Sequence, residues 1–236
     1  MDGPHLRVLG GFTVRLHDRP VRLPLGAQRL LAFLATQARP QDRTHIAQHL
    51  WPDLSEARAA GTMRSALWQI RRRLPGMVTG DVVTVVLGPV TDVDLWRTTR
   101  YAFDLPGNGG SSCWREFIDD LSCDLLPHWS DDWLTLERER YRQIRLHTLE
   151  TLCRQLTGSG DTQPAIEVAL RAVGADPLRE TAQRALIEAH LADGNISEAI
   201  RQYDSYVQIL RQTLGVAPTS ALCALLPRAP YHRKPR

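Results

Sequence analysis

One stretch of the chain, from Asp53 to Leu74, combines an apolar stripe with a row of arginines at helical spacing. Apolar side chains three and four residues apart share one face of a helix and predict a buried stripe. This stripe consists of Met63, Leu67, Ile70 and Leu74. The opposite face carries guanidinium, hydroxyl and amide groups, which bond phosphate oxygens and base edges when a helix lies in the major groove of DNA. The competing interpretation is an ordinary amphipathic helix with a solvated charged face.

The surrounding elements would position this helix as the second helix of a helix-turn-helix. A short helical segment, Thr44 to Leu50, and a turn at Trp51-Pro52 precede it. Residues 6–23 read as short strands, Gly26 to Ala38 as a helix, and residues 77–94 as β-rich segments punctuated by glycine. The order of strands, three helices and a β-hairpin predicts a winged helix over residues 6–94.

Helix starts follow from capping signals. Asp42 or Thr44 is predicted to cap the short helix, because both side chains accept bonds from free N–H groups of a first turn. Asp53 and Glu56 have capping-box spacing and predict the start of the long helix at Asp53. Pro75-Gly76 ends that helix.

Charge is distributed unevenly along the 236 residues, whose net charge is +3. Residues 1–96 contain twelve arginines and eight acidic residues, a balance of +4, whereas residues 97–236 have a balance of −1. Because release of counterions from phosphates drives nucleic-acid affinity, a basic excess around the long helix favours the DNA interpretation. The preference for arginine over lysine is attributed mainly to genomic base composition.

Several enzyme classes are excluded by composition. Lys234 is the only lysine, so the lysines of P-loops, Schiff bases and kinases are missing where those folds require them. No carboxylate pair, nucleophile elbow or His/Cys cluster has catalytic or metal-binding spacing. We therefore expect no enzyme activity, no cofactor and no metal.

Cysteine spacing and hydropathy suggest the compartment. The four cysteines show no CxxC pair and are predicted to be isolated, buried thiols: Cys113, Cys123, Cys153 and Cys223. The first residues lack a signal-peptide pattern, and no apolar run reaches transmembrane length. A cytoplasmic protein without membrane contact is expected.

The second half of the chain is predicted to be helical with an internal repeat. Helices are expected over residues 95–105, 113–126 and 133–156, with a flexible loop at 106–112. Identical residues then recur 34 positions apart, which is the tetratricopeptide period. The matched pairs are Gly160 and Gly194, Ala165 and Ala199, Ile166 and Ile200, and Val173 and Val207. Residues 133–156 and 219–226 would cover the outer faces of two partial repeats.

Five segments together resemble the SARP family of antibiotic-regulatory transcription activators, which join an OmpR-like winged helix to a bacterial transcriptional activator domain. The segments are MRSALWQIRRRLPG (63–76), VDL (93–95), WSDDWLTLERERYRQIRLHTLETL (129–152), ALRAVGADPLRETAQRALIEAHLADGNISEAIRQYDSYVQIL (169–210) and LGVAPTSAL (214–222). The expected fold is mainly α with a small β component. It divides into a winged helix-turn-helix (1–95), a tetratricopeptide-like all-helical domain (96–227) and a disordered basic tail (228–236).

The resemblance implies a DNA-binding activator. It implies that two copies bind side by side, as a homodimer on DNA, to direct repeats in promoters. It also implies recruitment of RNA polymerase holoenzyme and control of a secondary-metabolite gene cluster. The family's DNA-contact role transfers to residues on the exposed or flanking faces of the long helix: Arg58, Thr62, Arg64, Ser65, Trp68, Gln69, Arg71 and Arg72. Arg43 and Thr44, at the start of the preceding helix, are predicted phosphate contacts.

Some positions keep two interpretations at this stage. Trp68 contacts DNA, or it packs against the wing or against Trp51. Gly61 permits close approach of the backbone to DNA, or it marks fraying, at a cost of about 1 kcal/mol in helix propensity. The wing tip, residues 79–81, has no arginine and is expected to add little affinity. Trp129 and Trp133 are predicted to anchor a domain core rather than to form a ligand cage.

Two hypotheses concern partners. The loop containing Trp51, Asp53 and Leu54 is a candidate polymerase contact, because a loop between these helices projects beside DNA in an OmpR-like fold. The alternative function belongs to another class. In it, the chain is a helical-repeat adaptor or ligand sensor that acts through protein contacts without specific DNA binding.

Overall fold

The computed structural model describes residues 3–105 and 113–226 and is mainly helical with a small β component. Its contacts divide the chain into two units. The first contains residues 1–104 and 119–144, and the second contains residues 105–118 and 145–236. The predicted flexible loop at 106–112 and the predicted basic tail at 228–236 lie outside the described residues.

A four-stranded sheet opens the first unit. Its strands are β1 (His5–Arg7), β2 (Thr13–Leu16), β3 (Arg19–Pro20) and β7 (Asp92–Val93), in the order β3-β2-β1-β7. β1 pairs antiparallel with β2 and parallel with β7. Leu6 and Val14 face each other in this register and are both buried, because alternate side chains of a strand point to one face. The expected N-terminal strands are present, and the last segment before residue 94 joins this sheet instead of the hairpin.

Three helices follow the sheet: α1 (Leu25–Gln37), α2 (Arg43–Leu50) and α3 (Glu56–Arg73). Asp42 caps α2 as predicted, and its carboxylate accepts a bond from the N–H of His45 at 2.9 Å. The predicted cap at Asp53 is wrong. α3 begins two residues later than that cap requires, after Ser55, and no side chain caps it. Residues 51–54 form a turn closed by the N–H of Leu54 and the carbonyl of Trp51, so Asp53 belongs to the turn.

The wing is a short hairpin of β5 (Val78–Thr79) and β6 (Thr84–Leu87), and β4 (Gln41–Asp42) adds a third strand on β6. Gly80 has a φ of +137°, and a Cβ there would lie 2.3 Å from the carbonyl oxygen of Thr84. Only glycine fits this turn. The predicted hairpin after the third helix is therefore present.

The domain boundary expected at residue 95 does not coincide with the division between the two units. Residues 119–144 cluster with the winged helix, and residues 124–126 extend its sheet. The N–H of Gly10 bonds the carbonyl of Asp124 at 2.8 Å, and the N–H of Leu126 bonds the carbonyl of Val8 at 2.9 Å. The helix predicted over 113–126 accordingly ends early: α5 spans Trp114–Leu121.

Two tryptophans fasten this segment to the core of the first unit. The ring of Trp129 stacks on that of Phe12 with centroids 5.6 Å apart, and Trp133 meets Phe33 edge-on at 5.4 Å. Arg138 adds hydrogen bonds from its guanidinium to the carbonyls of Leu125 and Trp129, at 2.9 and 2.6 Å. The prediction of core anchors is confirmed, and the core is that of the winged helix.

The second unit contains the repeat. Besides α4 (Asp94–Asp104) in the first unit, the remaining helices are α6 (Leu134–Ser159), α7 (Thr162–Ala175), α8 (Glu180–Ala192), α9 (Ile196–Leu214) and α10 (Ser220–Cys223). α6 contributes to both units, with the division after Ile144. Gly160 and Gly194 have φ values of +85° and +76° before α7 and α9, and Ala165 and Ala199 are fully buried. The 34-residue period therefore marks equivalent turns and equivalent helix contacts.

Replacement of Ala199 by leucine tests the repeat. Ala199 lies in a core cluster with Ile187 and Tyr206, and three added heavy atoms should overpack it by about 1–3 kcal/mol. The expected result is a lower unfolding free energy, with faster hydrogen exchange confined to the second unit. Ala192→Leu is the matched control, because Ala192 is exposed at the end of α8. Identical melting of Ala199→Leu and the wild type would contradict the interpretation.

Candidate nucleic-acid interface

The long helix α3 separates a buried face from a cationic face, as its spacing predicts. Met63, Leu67, Ile70 and Leu74 are buried. The exposed residues of the opposite side are Arg58, Arg64, Ser65, Trp68, Arg71 and Arg72. Six of the eight residues predicted on α3 are thus accessible to a nucleic acid.

A groove of about 480 Å³ gathers five of the ten predicted DNA contacts from two helices. It is lined by Arg43 of α2 and by Arg64, Leu67, Trp68, Arg71 and Arg72 of α3. Four guanidinium groups on one surface of a winged helix attract polyanions, and each presents several donors to phosphate or guanine. We name this set the basic groove.

Trp68 is exposed at the basic groove. It keeps 55% of its surface accessible, and the guanidinium of Arg72 lies over its ring at 5.1 Å from the centroid. The ring is therefore exposed and not buried against the wing or against Trp51, and contact of Trp68 with DNA stays a prediction. A cation over an aromatic face holds both side chains in position.

The N-terminal end of α2 connects the basic groove to the wing. The N–H of Arg43 bonds the carbonyl of Val83 at 2.9 Å, and its Nε bonds the carbonyl of Thr84 at 3.4 Å. Thr44 is exposed beside it. A second groove of about 250 Å³ is lined by Thr44, Arg64 and Gln48, among others. Gln48 was not predicted, although it lies one turn after Thr44 and its amide is suited to base or phosphate contact.

Two predicted residues are less available than the others. Thr62 and Gln69 are half-buried. The hydroxyl of Thr62 donates to the carbonyl of Arg58 at 3.0 Å, so it has no proton left for a phosphate. Gly61 lies within α3 and not at its end, and a Cβ there would approach only Arg64, at 3.7 Å.

The wing tip carries a carboxylate. Asp81 accepts bonds from the N–H groups of Thr84 and Val83 at 2.7 and 2.8 Å. These bonds lower the pKa of Asp81, since they stabilise the ionised form. Val82 beside it is 88% exposed. An anionic tip repels phosphates, which supports the expectation that the wing adds little affinity.

The turn between α2 and α3 presents one apolar side chain. Leu54 is 38% exposed and Asp53 is exposed, whereas Trp51 is half-buried and packs against the core. These residues line a surface depression of about 750 Å³. Because Asp53 caps no helix, its substitution tests a surface contact without loss of a cap.

Among residues 3–105 and 113–226, no group of three or more His, Cys, Asp or Glu side chains is placed to hold a metal ion. None of the helices described is long and apolar enough to cross a membrane. Cys153 is buried as predicted, and burial raises the pKa of its thiol to about 11. Cys113 and Cys123 are half-buried and Cys223 is exposed, so the prediction of uniformly buried thiols is wrong.

Comparisons with known proteins identify the class. The profile of the bacterial transcriptional activator domain matches residues 113–228. A search of curated protein sequences found no significant match. Among solved structures, Mycobacterium tuberculosis EmbR in complex with a low-affinity phosphopeptide matches with a TM-score of 0.75 and 16% identity. The match covers 94% of this chain and 63% of the EmbR chain. At this identity the likeness establishes the fold, and this chain spans less than two thirds of the EmbR chain.

The domain match and the fold confirm the resemblance drawn from the sequence. Residues 113–228 match the bacterial transcriptional activator domain and follow a winged helix in the fold shared with EmbR, which is the domain order that the resemblance to SARP activators implies. The matched domain is one of transcriptional activators.

Proposed function

We propose that the chain activates transcription by binding direct repeats in promoters as a side-by-side homodimer, with α3 in the major groove. The observation that carries the proposal is the basic groove, where Arg43, Arg64, Arg71 and Arg72 converge around Trp68. The recruited partner is RNA polymerase holoenzyme, and the regulated genes form a secondary-metabolite cluster. The predicted contacts are divided between base edges, reached by Arg64 and Ser65, and phosphates, reached by Arg43 and Thr44.

Substitution in the basic groove tests specific DNA recognition. A binding site is first selected from a random duplex library with the full chain, and affinity is then measured by fluorescence anisotropy across a salt series. Arg64→Ala is expected to cost about 1–3 kcal/mol on the selected site and to relax one base position. Arg71→Ala is expected to weaken all sequences alike and to reduce the slope of log affinity against log salt by about one.

Arg184→Ala is the matched control, because it removes the same charge from the second unit, where Arg184 pairs with Glu188 at 2.8 Å. It is expected to leave both affinity and salt slope unchanged. Unaltered binding by both groove variants, or selection that yields no enriched site, would contradict the proposal. The latter outcome would favour the adaptor or ligand sensor that acts through protein contacts alone.

The turn between α2 and α3 is proposed to contact RNA polymerase. Leu54→Ser removes an exposed apolar side chain, and Asp53→Ala removes a neighbouring charge that caps no helix. Both variants are expected to bind the selected site normally and to give reduced transcript in a purified transcription assay. Val90→Ser, at another exposed apolar position of the same unit, is the control. Wild-type transcript from both variants on saturated DNA would place the polymerase contact on another surface, with the helical domain next to be tested.

A further inference from the structure

The first unit contains an apolar cavity of about 340 Å³, away from the residues assigned to DNA and to polymerase. Its walls come from the end of α1, one side of α4, Leu125 and the first turns of α6. This volume lies in the range of cavities that hold small ligands. The inference drawn from it does not depend on the proposed mode of DNA binding.

One side of α4 faces the cavity, although Trp96 on that side also packs against the core of the unit. Leu95, Thr98 and Tyr101 are buried in the unit. Trp96, Thr99, Arg100 and Phe103 follow one another at helical spacing and line the cavity together with Leu95. Phe103 keeps 72% of its surface exposed. A large aromatic side chain left open at the edge of an apolar cavity indicates a surface that binds something.

Most polar groups in the wall of the cavity already have a hydrogen-bond or ion-pair partner. The indole N–H of Trp96 donates to the carbonyl of Ala35 at 2.7 Å. The hydroxyl of Tyr141 donates to the carbonyl of Asp120 at 2.9 Å, and Arg140 pairs with Glu137 at 3.1 Å. Arg100, by contrast, is exposed and makes no ion pair among the residues described. Within the part of the chain that the structure describes, the cavity therefore offers apolar surface and one cation without an ion pair.

We propose that this cavity binds an apolar carboxylate, a ring system that carries one anionic group. The rings lie against Trp96, Leu125 and Phe103, and the carboxylate lies at the guanidinium of Arg100. Charge complementarity favours an anion, because the guanidinium of Arg100 attracts a carboxylate and repels a cation. Trp96 ties the site to α1 through its bond to Ala35, so occupancy stabilises the winged helix by mass action.

A titration of the full chain with 1-naphthoate tests the site. The indole N–H resonance of Trp96 in a ¹⁵N correlation spectrum, assigned with Trp96→Phe, reports occupancy. Trp114, buried in the second unit, is the internal reference. The expected result is a saturable, one-site shift at Trp96 with Trp114 unchanged. Thr99→Trp fills the cavity and is expected to abolish the shifts that naphthoate causes. In this variant the titration is followed on the other resonances of the first unit.

A neutral probe and a matched variant test the role of the charge. Arg100→Gln is expected to weaken 1-naphthoate about tenfold, since it removes a charge-assisted bond, and to leave 1-naphthalenemethanol unaffected. Arg97→Gln makes the same change on the same helix, where Arg97 pairs with Asp92 at 3.3 Å, and is expected to alter neither probe. Thermal melts verify that each variant is folded.

Three results would overturn the proposal. The first is no saturable shift of Trp96 at millimolar naphthoate, which would assign the cavity to an apolar side chain of a protein partner. The second is equal shifts of Trp96 and Trp114, which would indicate nonspecific adsorption. The third is equal binding of both probes by Arg100→Gln and the wild type, which would exclude an anion site.

Discussion

Residues 1–96 expressed alone are expected to be unfolded at 25 °C, whereas residues 1–144 are expected to unfold cooperatively. The shorter fragment lacks Leu125, Leu126, Leu134 and Tyr141, four buried members of the core of the first unit. Loss of one buried leucine costs about 2–5 kcal/mol, and a whole domain is stable by only about 5–15 kcal/mol. Circular dichroism melts of the two fragments measure the difference.

A substitution in the full chain provides the control for effects of truncation. Leu125→Ala is expected to speed hydrogen exchange of amides in α1 and α3, because Leu125 shares their core. Leu186→Ala, at a fully buried position of α8, should speed exchange in the second unit and leave α1 and α3 unchanged. A cooperative melt of residues 1–96, together with unchanged α3 exchange in Leu125→Ala, would show that the winged helix is complete without residues 119–144.

The second large effect is expected at Asp94. This side chain is only 4% exposed, and it accepts bonds from the N–H groups of Val8, Leu9 and Leu95 at 2.7–3.0 Å. Asp94→Ala leaves three buried donors without a partner, and each costs about 1–3 kcal/mol if no water replaces the carboxylate. We expect a loss of about 3 kcal/mol or more in unfolding free energy, measured by urea denaturation. Asp18→Asn, in an exposed turn, is expected to change it by less than about 0.5 kcal/mol.

The same residue predicts a pH dependence. Burial raises the pKa of Asp94 from 3.8 to about 6, against the opposing effect of its three bonds. Between these values the folded state holds a proton that the unfolded state has released. The contribution of this bound proton to the unfolding free energy is therefore fully present below pH 4, and it is lost as the pH rises to about 6.

A difference measurement isolates this titration from that of other groups. The unfolding free energy of the wild type minus that of Asp94→Asn should fall by about 2 kcal/mol between pH 4 and 6.5, and should stay nearly flat above. A difference that rises or stays constant across this interval would contradict the raised pKa.

Local pattern was enough to predict the elements of the candidate interface. The buried stripe from Met63 to Leu74 requires only that one helix face pack inward, and this leaves Arg64, Ser65 and Arg72 outside. The repeat followed from Gly160 and Gly194, because a left-handed turn before each helix favours glycine at any site. Such features depend on residues within a few turns of one another, and the sequence displays them directly.

The residues around Asp53 were not enough to predict whether its side chain caps α3. A capping box and a turn ending at Ser55 are both compatible with the residues from Asp53 to Glu56. The turn forms because Trp51 packs against the core, which lies far away in sequence. Trp51, one of the two packing partners considered for Trp68, is likewise held against the core.

Periodicity and the backbone preferences of single residues were enough to predict that the helices, the hairpin, the repeat and the cationic face of α3 exist, although not every helix end. Only the tertiary structure decided that residues 119–144 complete the winged helix and that Asp94 satisfies three distant N–H groups. It also decided that Arg43 reaches the basic groove beside the wing. These are pairings between segments up to about a hundred residues apart. Their free energy comes from burial and hydrogen bonding after the chain has folded, which no local pattern encodes.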